Sequence, residues 1–277
     1  MPLSEKEIFN RLKALEDHDG KLDSIGEVSL LLAQMSLPGH DLKQYLDELN
    51  LISLDMSLVS RGVNTLTEQI KSLTEIIYRK HGYHGDIKSY DDPQNANLMR
   101  VIDRRKGLPV SLGIIVIHAA RSQGWNIAGL NFPGHFLLRL SKLGEHAVID
   151  PFDEARLMHI DEIEQLLKGV YGSQIKLKKE FIKTVSDRDI LIRLQNNIKT
   201  RALQEGNLNR GIEILVSMNL IAPTNVDILL ELALLEANQG NYHRAIKRLE
   251  FFLEFNSKAL DKVRIIDLKE KLQHNLN

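Results

Sequence analysis

The segment Ser111–Gly124, SLGIIVIHAARSQG, constrains the fold more than any other stretch of the chain. Wound as a helix it is apolar on nearly all sides, so other elements must cover it. Three short runs follow it: NIAGL, HFLLRLS and HAVID. Their length and alternation predict strands, with KLGE as the turn joining the last two. A buried helix feeding a small antiparallel sheet predicts a predominantly helical α+β fold.

The lead-in is helical. Leu30, Leu31 and Ala33 begin one apolar stripe; Leu42, Tyr45, Leu46, Leu49 and Ile52 form a second at helical spacing. Pro38-Gly39 separates the two. Leu66, Ile70, Leu73, Ile76 and Ile77 mark a third helix ending near His81-Gly82. After the polar run HGYHGDIKSYDD, Asp92-Pro93 predicts a helix start. That helix carries Leu98, Val101 and Ile102 and closes on Arg104, Arg105, Lys106 and Gly107. Basic residues suit the negative end of the helix dipole and glycine suits a left-handed cap, so the cluster reads as a helix terminus rather than as a phosphate-binding site.

Beyond about residue 186 the chain repeats itself. Gly206-Asn207-Leu208-Asn209-Arg210-Gly211-Ile212 aligns with Gly240-Asn241-Tyr242-His243-Arg244-Ala245-Ile246 at a constant offset of 34 residues. A period of 34 in a helix–turn–helix pattern is the tetratricopeptide signature. Two units plus a final helix from about Lys258 to Gln273 are expected, and so short an array is expected to pack on the preceding domain. The chain then divides into an N-terminal helical part (1–80), a mixed core (81–185) and a helical repeat region (186–277).

Three residues within the mixed core carry candidate chemistry: Ser111, His135 and Asp150. Acyl transfer needs a nucleophile, a base beside it and a group that orients the base. Ser111 falls near the N-terminus of the apolar helix, where the dipole favours an anion. A hairpin centred between Lys142 and Leu143 would oppose His135 with Asp150, Leu137 with Val148 and Arg139 with His146. A slip of one residue would put the pair on opposite faces. Each residue also has a plain structural role available: helix N-cap for Ser111, a satisfied histidine for His135, and an Asx turn before Pro151 for Asp150.

The stretches DRRKGLPVSL, NFPGHFL and IDPF, with the lead-in LLLAQMSLPGHDLKQYLDELN, resemble the SirB1 family, bacterial proteins in which tetratricopeptide repeats follow a transglutaminase-like domain. The resemblance covers most of the chain. It implies a cytoplasmic protein with a transglutaminase/papain-like core and a small antiparallel sheet. The wider superfamily uses Cys-His-Asp, and His135 and Asp150 carry over. The nucleophile position falls on Pro109 or on Ser111, and the chain contains no cysteine. A serine hydroxyl ionises far less readily than a thiol, whose reference pKa is about 8.5.

Composition removes other classes. Without cysteine there are no disulfides, no cysteine-bound zinc and no iron–sulfur clusters. Lys+Arg at 36 against Asp+Glu at 37 leaves a net charge of -1, which offers no footprint for nucleic acid or an anionic membrane. The N-terminal segment MPLSEKEIFNRLKAL lacks an apolar h-region, and the longest uncharged runs are too short to span a bilayer, which predicts a cytoplasmic chain. His81 and His84 have the spacing of a metal pair but no third ligand, and are expected in a solvated loop. No metal or cofactor is expected. Two functional readings follow. In the first, the chain is an interaction module or scaffold whose repeats bind a protein or peptide segment. In the second, it is a serine-dependent acyl transferase or amide hydrolase with Ser111 as nucleophile, His135 as base and Asp150 as orienter.

Overall fold

The computed structural model describes residues 3–15, 17–18, 20–255 and 259–276. The chain forms two compact units, Met1–Leu194 and Gln195–Asn277. The first carries α1 (Glu5–Lys13), α2 (Ile25–Ser36), α3 (Lys43–Val59), α4 (Leu66–Leu73), α5 (Leu98–Arg104), α6 (Pro109–Ser122) and α7 (Ile160–Tyr171). The division falls inside α8 (Asp187–Gln204). The strands are β1 (Asp17–His18), β2 (Lys21–Leu22), β3 (His84–Gly85), β4 (Lys106–Gly107), β5 (Asn126–Gly129), β6 (Leu138–Lys142), β7 (Glu145–Asp150) and β8 (Arg156–Leu157). No described helix is long and apolar enough to cross a membrane.

Helix α6 is the axis of the first unit. Ile114, Ile115, Val116 and Ile117 are consecutive and all fully buried, so every side of the helix is covered. It packs on α2, α3 and β5. Burying each of these side chains contributes roughly 1.5–3 kcal/mol, enough to fix the helix as the centre of the core. Pro109 occupies the first helical position, where its missing N–H costs nothing. Leu108 is the N-cap, so Ser111 is not the capping residue considered from the sequence; it is the third residue of the helix.

The sheet is antiparallel in the order β5-β6-β7-β8. The hairpin register differs from the expected one. Leu138 opposes Ile149, Arg139 opposes Val148 and Ser141 opposes His146. Leu143 and Gly144 make the turn, both with positive φ (51° and 86°), as a type I′ hairpin requires. The turn thus sits one residue later than expected and every pairing slides by two. Because strand side chains alternate with period two, a slide of two leaves the same residues on the same face. The strands are shorter than the sequence pattern predicts on one side, since β6 begins only at Leu138, and β8 is an addition to the expected set. Trp125 is half-exposed between α6 and β5.

The segment after Asp92 also differs. Asp92 does cap a helical turn, but that turn is a short 3-10 helix over Pro93–Ala96. Asn97 starts a new helix, α5, its side chain accepting from the Arg100 N–H. The left-handed residue that closes α5 is Arg105 (φ 57°), not the glycine. Gly107 instead pairs with Gly85 across the parallel β3–β4 bridge. The basic cluster is drawn into ion pairs: Arg104 with Asp86 (2.9 Å) and Asp92 (3.4 Å), and Arg105 with Glu48.

The third expected helix changes character midway. Helix α4 passes into a π-helix over Thr74–Lys80 before the chain turns at His81.

In the second unit, α9 (Leu208–Ile221), α10 (Val226–Asn238), α11 (Tyr242–Phe255) and α12 (Ala259–Leu276) follow α8. The 34-residue offset seen in the sequence recurs in the backbone. Gly206 N–H donates to Leu203 O (3.0 Å) and Gly240 N–H to Ala237 O (2.8 Å). Asn207 N–H donates to Ala202 O (2.8 Å) and Asn241 N–H to Glu236 O (2.9 Å). Both glycines have left-handed φ, 76° and 82°. Ala233, Ala237, Ala245, Leu249 and Phe252 are among the residues that bury the interface of α10, α11 and α12. Lys258, the expected start of the last helix, lies outside the described residues.

Candidate functional site

His135 is placed by its neighbour. The Phe136 ring is buried between two glycines: a Cβ on Gly113 of α6 would lie 2.5 Å from it and a Cβ on Gly129 of β5 would lie 2.9 Å away. Arg193 completes the clamp. Its guanidinium stacks 5.4 Å from the Phe136 ring and donates to the carbonyls of Phe132 (2.8 Å) and His135 (2.6 Å). Burial pushes the Arg193 pKa below its ordinary value. Gly134 adopts φ 73°, which turns the chain sharply before the histidine.

The His135 Nε2 lies 2.8 Å from Oδ2 of Asp150. The other carboxylate oxygen, Oδ1, accepts from the Phe152 N–H at 2.8 Å. Asp150 therefore serves both roles considered from the sequence, the Asx turn and the imidazole partner. A carboxylate accepting at Nε2 requires that nitrogen to carry the proton when the ring is neutral. Phe152 stands edge-on to the imidazole (6.4 Å, 89°), and Tyr90 stands edge-on to Phe152 (5.7 Å, 73°). Gly85 makes this wall possible, because a Cβ there would fall 2.7 Å from the Phe152 ring.

Ser111 faces elsewhere. The residue is fully buried, and its hydroxyl is 2.8 Å from Asn95 O and 3.0 Å from Leu108 O, able to donate to one of them at a time. A Cβ on Gly107 would lie 2.5 Å from that hydroxyl. Two residues along α6, Gly113 looks toward Phe136 and Pro151. Two residues are about 200° of helix rotation, so the Ser111 side chain and the Gly113 face diverge. Pro109, one turn before Gly113, shares the Gly113 face.

The sequence pattern missed several residues: Arg193 and Phe136 behind His135, and an ionic cluster behind α3. There His81, expected in a solvated loop, has a nearly buried ring wedged between two carboxylates. Its Nδ1 is 2.9 Å from Glu48 and its Nε2 is 2.8 Å from Asp55. The apolar packing of α3 draws it in, because Glu48 and Asp55 flank the buried Ile52 on the same helix. The hydrogen bond to Glu48 raises the His81 pKa against the opposing effect of burial. Burial alone would raise the Glu48 pKa, but hydrogen bonds from His81 and Arg105 outweigh it and hold the carboxyl at about 2. His84 is exposed and separate. Among the described residues no group of three or more His, Cys, Asp or Glu side chains is arranged to hold a metal ion.

The profile of the transglutaminase-like superfamily matches residues 40–196, more than half of the chain and the whole of the site. The chain belongs to the transglutaminase-like superfamily. Related proteins include a UPF0162 protein of Xylella fastidiosa strain Temecula1, 26% identical over 96% of both chains. Another is the UPF0162 protein of Haemophilus influenzae, 27% identical over 74% of this chain and 78% of that one. Human F-box only protein 21 is 23% identical over 74% of this chain, a match that occupies 36% of the human protein. Within the transglutaminase-like region lie α3 through α7, the four-stranded sheet, His135 and Asp150.

Proposed function

We propose that this transglutaminase-like chain is an interaction protein that no longer turns over an acyl substrate. In this reading the repeat region, of tetratricopeptide type, receives a protein or peptide segment, and the His135–Asp150 pair persists as a recognition element. One observation carries it: in a chain without cysteine, the Ser111 hydroxyl is fully buried and bonded to the Asn95 and Leu108 carbonyls. A nucleophile must reach both its base and its substrate. Pro109, which shares the face of α6 turned toward Phe136 and Pro151, has no side-chain atom that can attack. The recurrence of the Gly206 and Gly240 turns in the backbone supports the repeat assignment.

The serine-dependent reading keeps one support, the 2.8 Å contact between His135 and Asp150. Treating the full chain with a fluorophosphonate probe and with peptide amides separates the two. The interaction reading expects no label and no amide cleavage or transfer above the Ser111→Ala background. Label at Ser111 that disappears in both Ser111→Ala and His135→Ala would overturn it. For the interaction half, a photo-reactive residue at the exposed Leu234 position should crosslink a discrete partner in the native cell. Absence of any specific product from that and neighbouring positions on α10 counts against a repeat-bound segment.

A further inference from the structure

The π-helix that ends the N-terminal helices has a use at the candidate site. The turn that follows Asp150 carries two consecutive left-handed residues without being glycine, Glu154 (φ 52°) and Ala155 (φ 58°). Such a turn holds its shape only when surrounding groups fix it. Three side chains of the π-helix reach it. Thr74 Oγ1 donates to Glu154 O (3.0 Å), Tyr78 OH donates to Pro151 O (2.8 Å), and the Arg79 guanidinium pairs with the Glu154 carboxylate.

The winding explains how all three arrive. In an α-helix, residues i and i+4 share a face and i+5 turns away from it. A π-helix bonds i to i+5 and winds more slowly, as the His81 N–H to Ile76 O bond (2.9 Å) records here. Slower winding brings i+5 onto the same side as i and i+4, which are Arg79, Thr74 and Tyr78. Tyr78 is buried; burial first, and then the nearby Asp150 carboxylate, push its pKa well up, so the phenol stays a donor.

We propose that the π-helical segment Thr74–Lys80 is a positioning device for the imidazole–carboxylate pair. Tyr78, assisted by Thr74 and Arg79, fixes the Pro151 carbonyl and the following turn, and thereby holds Asp150 Oδ2 against His135 Nε2. The role is the same whether the pair serves binding or turnover, so it stands apart from the interaction reading.

The test reads the histidine ring directly. Full-length protein with 15N-labelled histidine gives long-range imidazole spectra, recorded above the pH range of histidine titration and assigned with His135→Gln. The wild type should show His135 as one tautomer with its proton on Nε2. Tyr78→Phe should convert that signature to a mixture of tautomers while the other histidines keep theirs. Tyr83→Phe is the control, since it removes a comparably buried phenol that bonds Glu48 and Arg105 rather than the turn. A folded Tyr78→Phe protein with an unchanged His135 signature overturns the proposal. So does an equal change in Tyr83→Phe, which would mean general loosening. Should Tyr78→Phe fail to fold, the double variant Thr74→Val/Arg79→Met carries the same expectation and the same overturning result.

Discussion

Asp150 divides its carboxylate between two partners, with Oδ2 2.8 Å from His135 Nε2 and Oδ1 2.8 Å from the Phe152 N–H. Substitutions can separate the two bonds. Asp150→Ala removes both acceptors and leaves a backbone N–H without its partner, a loss of about 1–3 kcal/mol. Asp150→Asn keeps an oxygen for Phe152 and should cost less, while its uncharged amide meets the histidine more weakly. Urea unfolding should therefore rank wild type above Asp150→Asn and Asp150→Asn above Asp150→Ala. Equal losses in the two variants would show that the turn bond contributes nothing.

Ser111 is expected to matter for stability. Ser111→Ala removes one buried hydrogen bond, but Asn95 O still accepts from the Leu108 N–H at 3.1 Å, so about 0.5–1.5 kcal/mol should be lost. Ser111→Val adds bulk where the Gly107 backbone already approaches closely, and overpacking of that kind costs about 1–3 kcal/mol. The midpoints of chemical denaturation should fall in that order. A valine variant as stable as wild type would mean that the space beside Gly107 is open.

The His81 cluster makes stability depend on pH from both sides. The folded-state pKa of His81 is raised, so its contribution is fully present below the unfolded value of about 6.5 and is lost as pH climbs through the raised folded value. Glu48 is held at about 2, so its contribution is present above the ordinary carboxyl range and is lost as pH falls from there toward 2. The melting temperature should decline as pH rises above the ordinary histidine value of about 6.5, and again in acid. His81→Gln should flatten the high-pH limb and, because His81 is one of the donors that hold Glu48 low, shrink the acid limb as well; a high-pH limb that survives this substitution would assign it to another group.

How far the sequence reached depended on whether the determining interaction was local. The burial of α6 was legible because Ile114 to Ile117 declare it by composition. The shared face of His135 and Asp150 was legible because strand periodicity survives a register error of two, even though Leu143 and Gly144, not Lys142 and Leu143, form the turn. Long-range contacts left no local mark. Nothing in the order of residues announces that Arg193 would hold the His135 carbonyl across 58 positions. Nor does the pattern distinguish the π-helix from the α-helix it continues, since Ile76 and Ile77 satisfy the apolar requirement of either. The Ser111 hydroxyl is a similar case: its direction is set by Asn95, in a 3-10 turn that the Asp92-Pro93 signal blurred into one longer helix.

Glycines separate two physical costs that sequence alone cannot distinguish. Gly206 and Gly240 have nothing within 4 Å of an added Cβ, but both sit at positive φ. Alanine at either should cost about 1–2 kcal/mol from the left-handed backbone alone. Because the glycine and asparagine N–H bonds of the two turns recur at the same offset, the two losses should be similar. In the double variant the losses should depart from additivity, because the Gln239 side chain beside one turn donates to Asn209 beside the other (2.7 Å). Gly113 presents the opposite case, with an ordinary helical backbone but only 2.5 Å to the Phe136 ring. Helix propensity favours alanine there by about 1 kcal/mol, yet displacing Phe136 should outweigh it at about 1–3 kcal/mol and disturb the near-ultraviolet signal. Thermal unfolding of Gly113→Ala decides the sign. A gain in stability would mean that the pocket holding Phe136, and with it His135, is slack enough to absorb a methyl group.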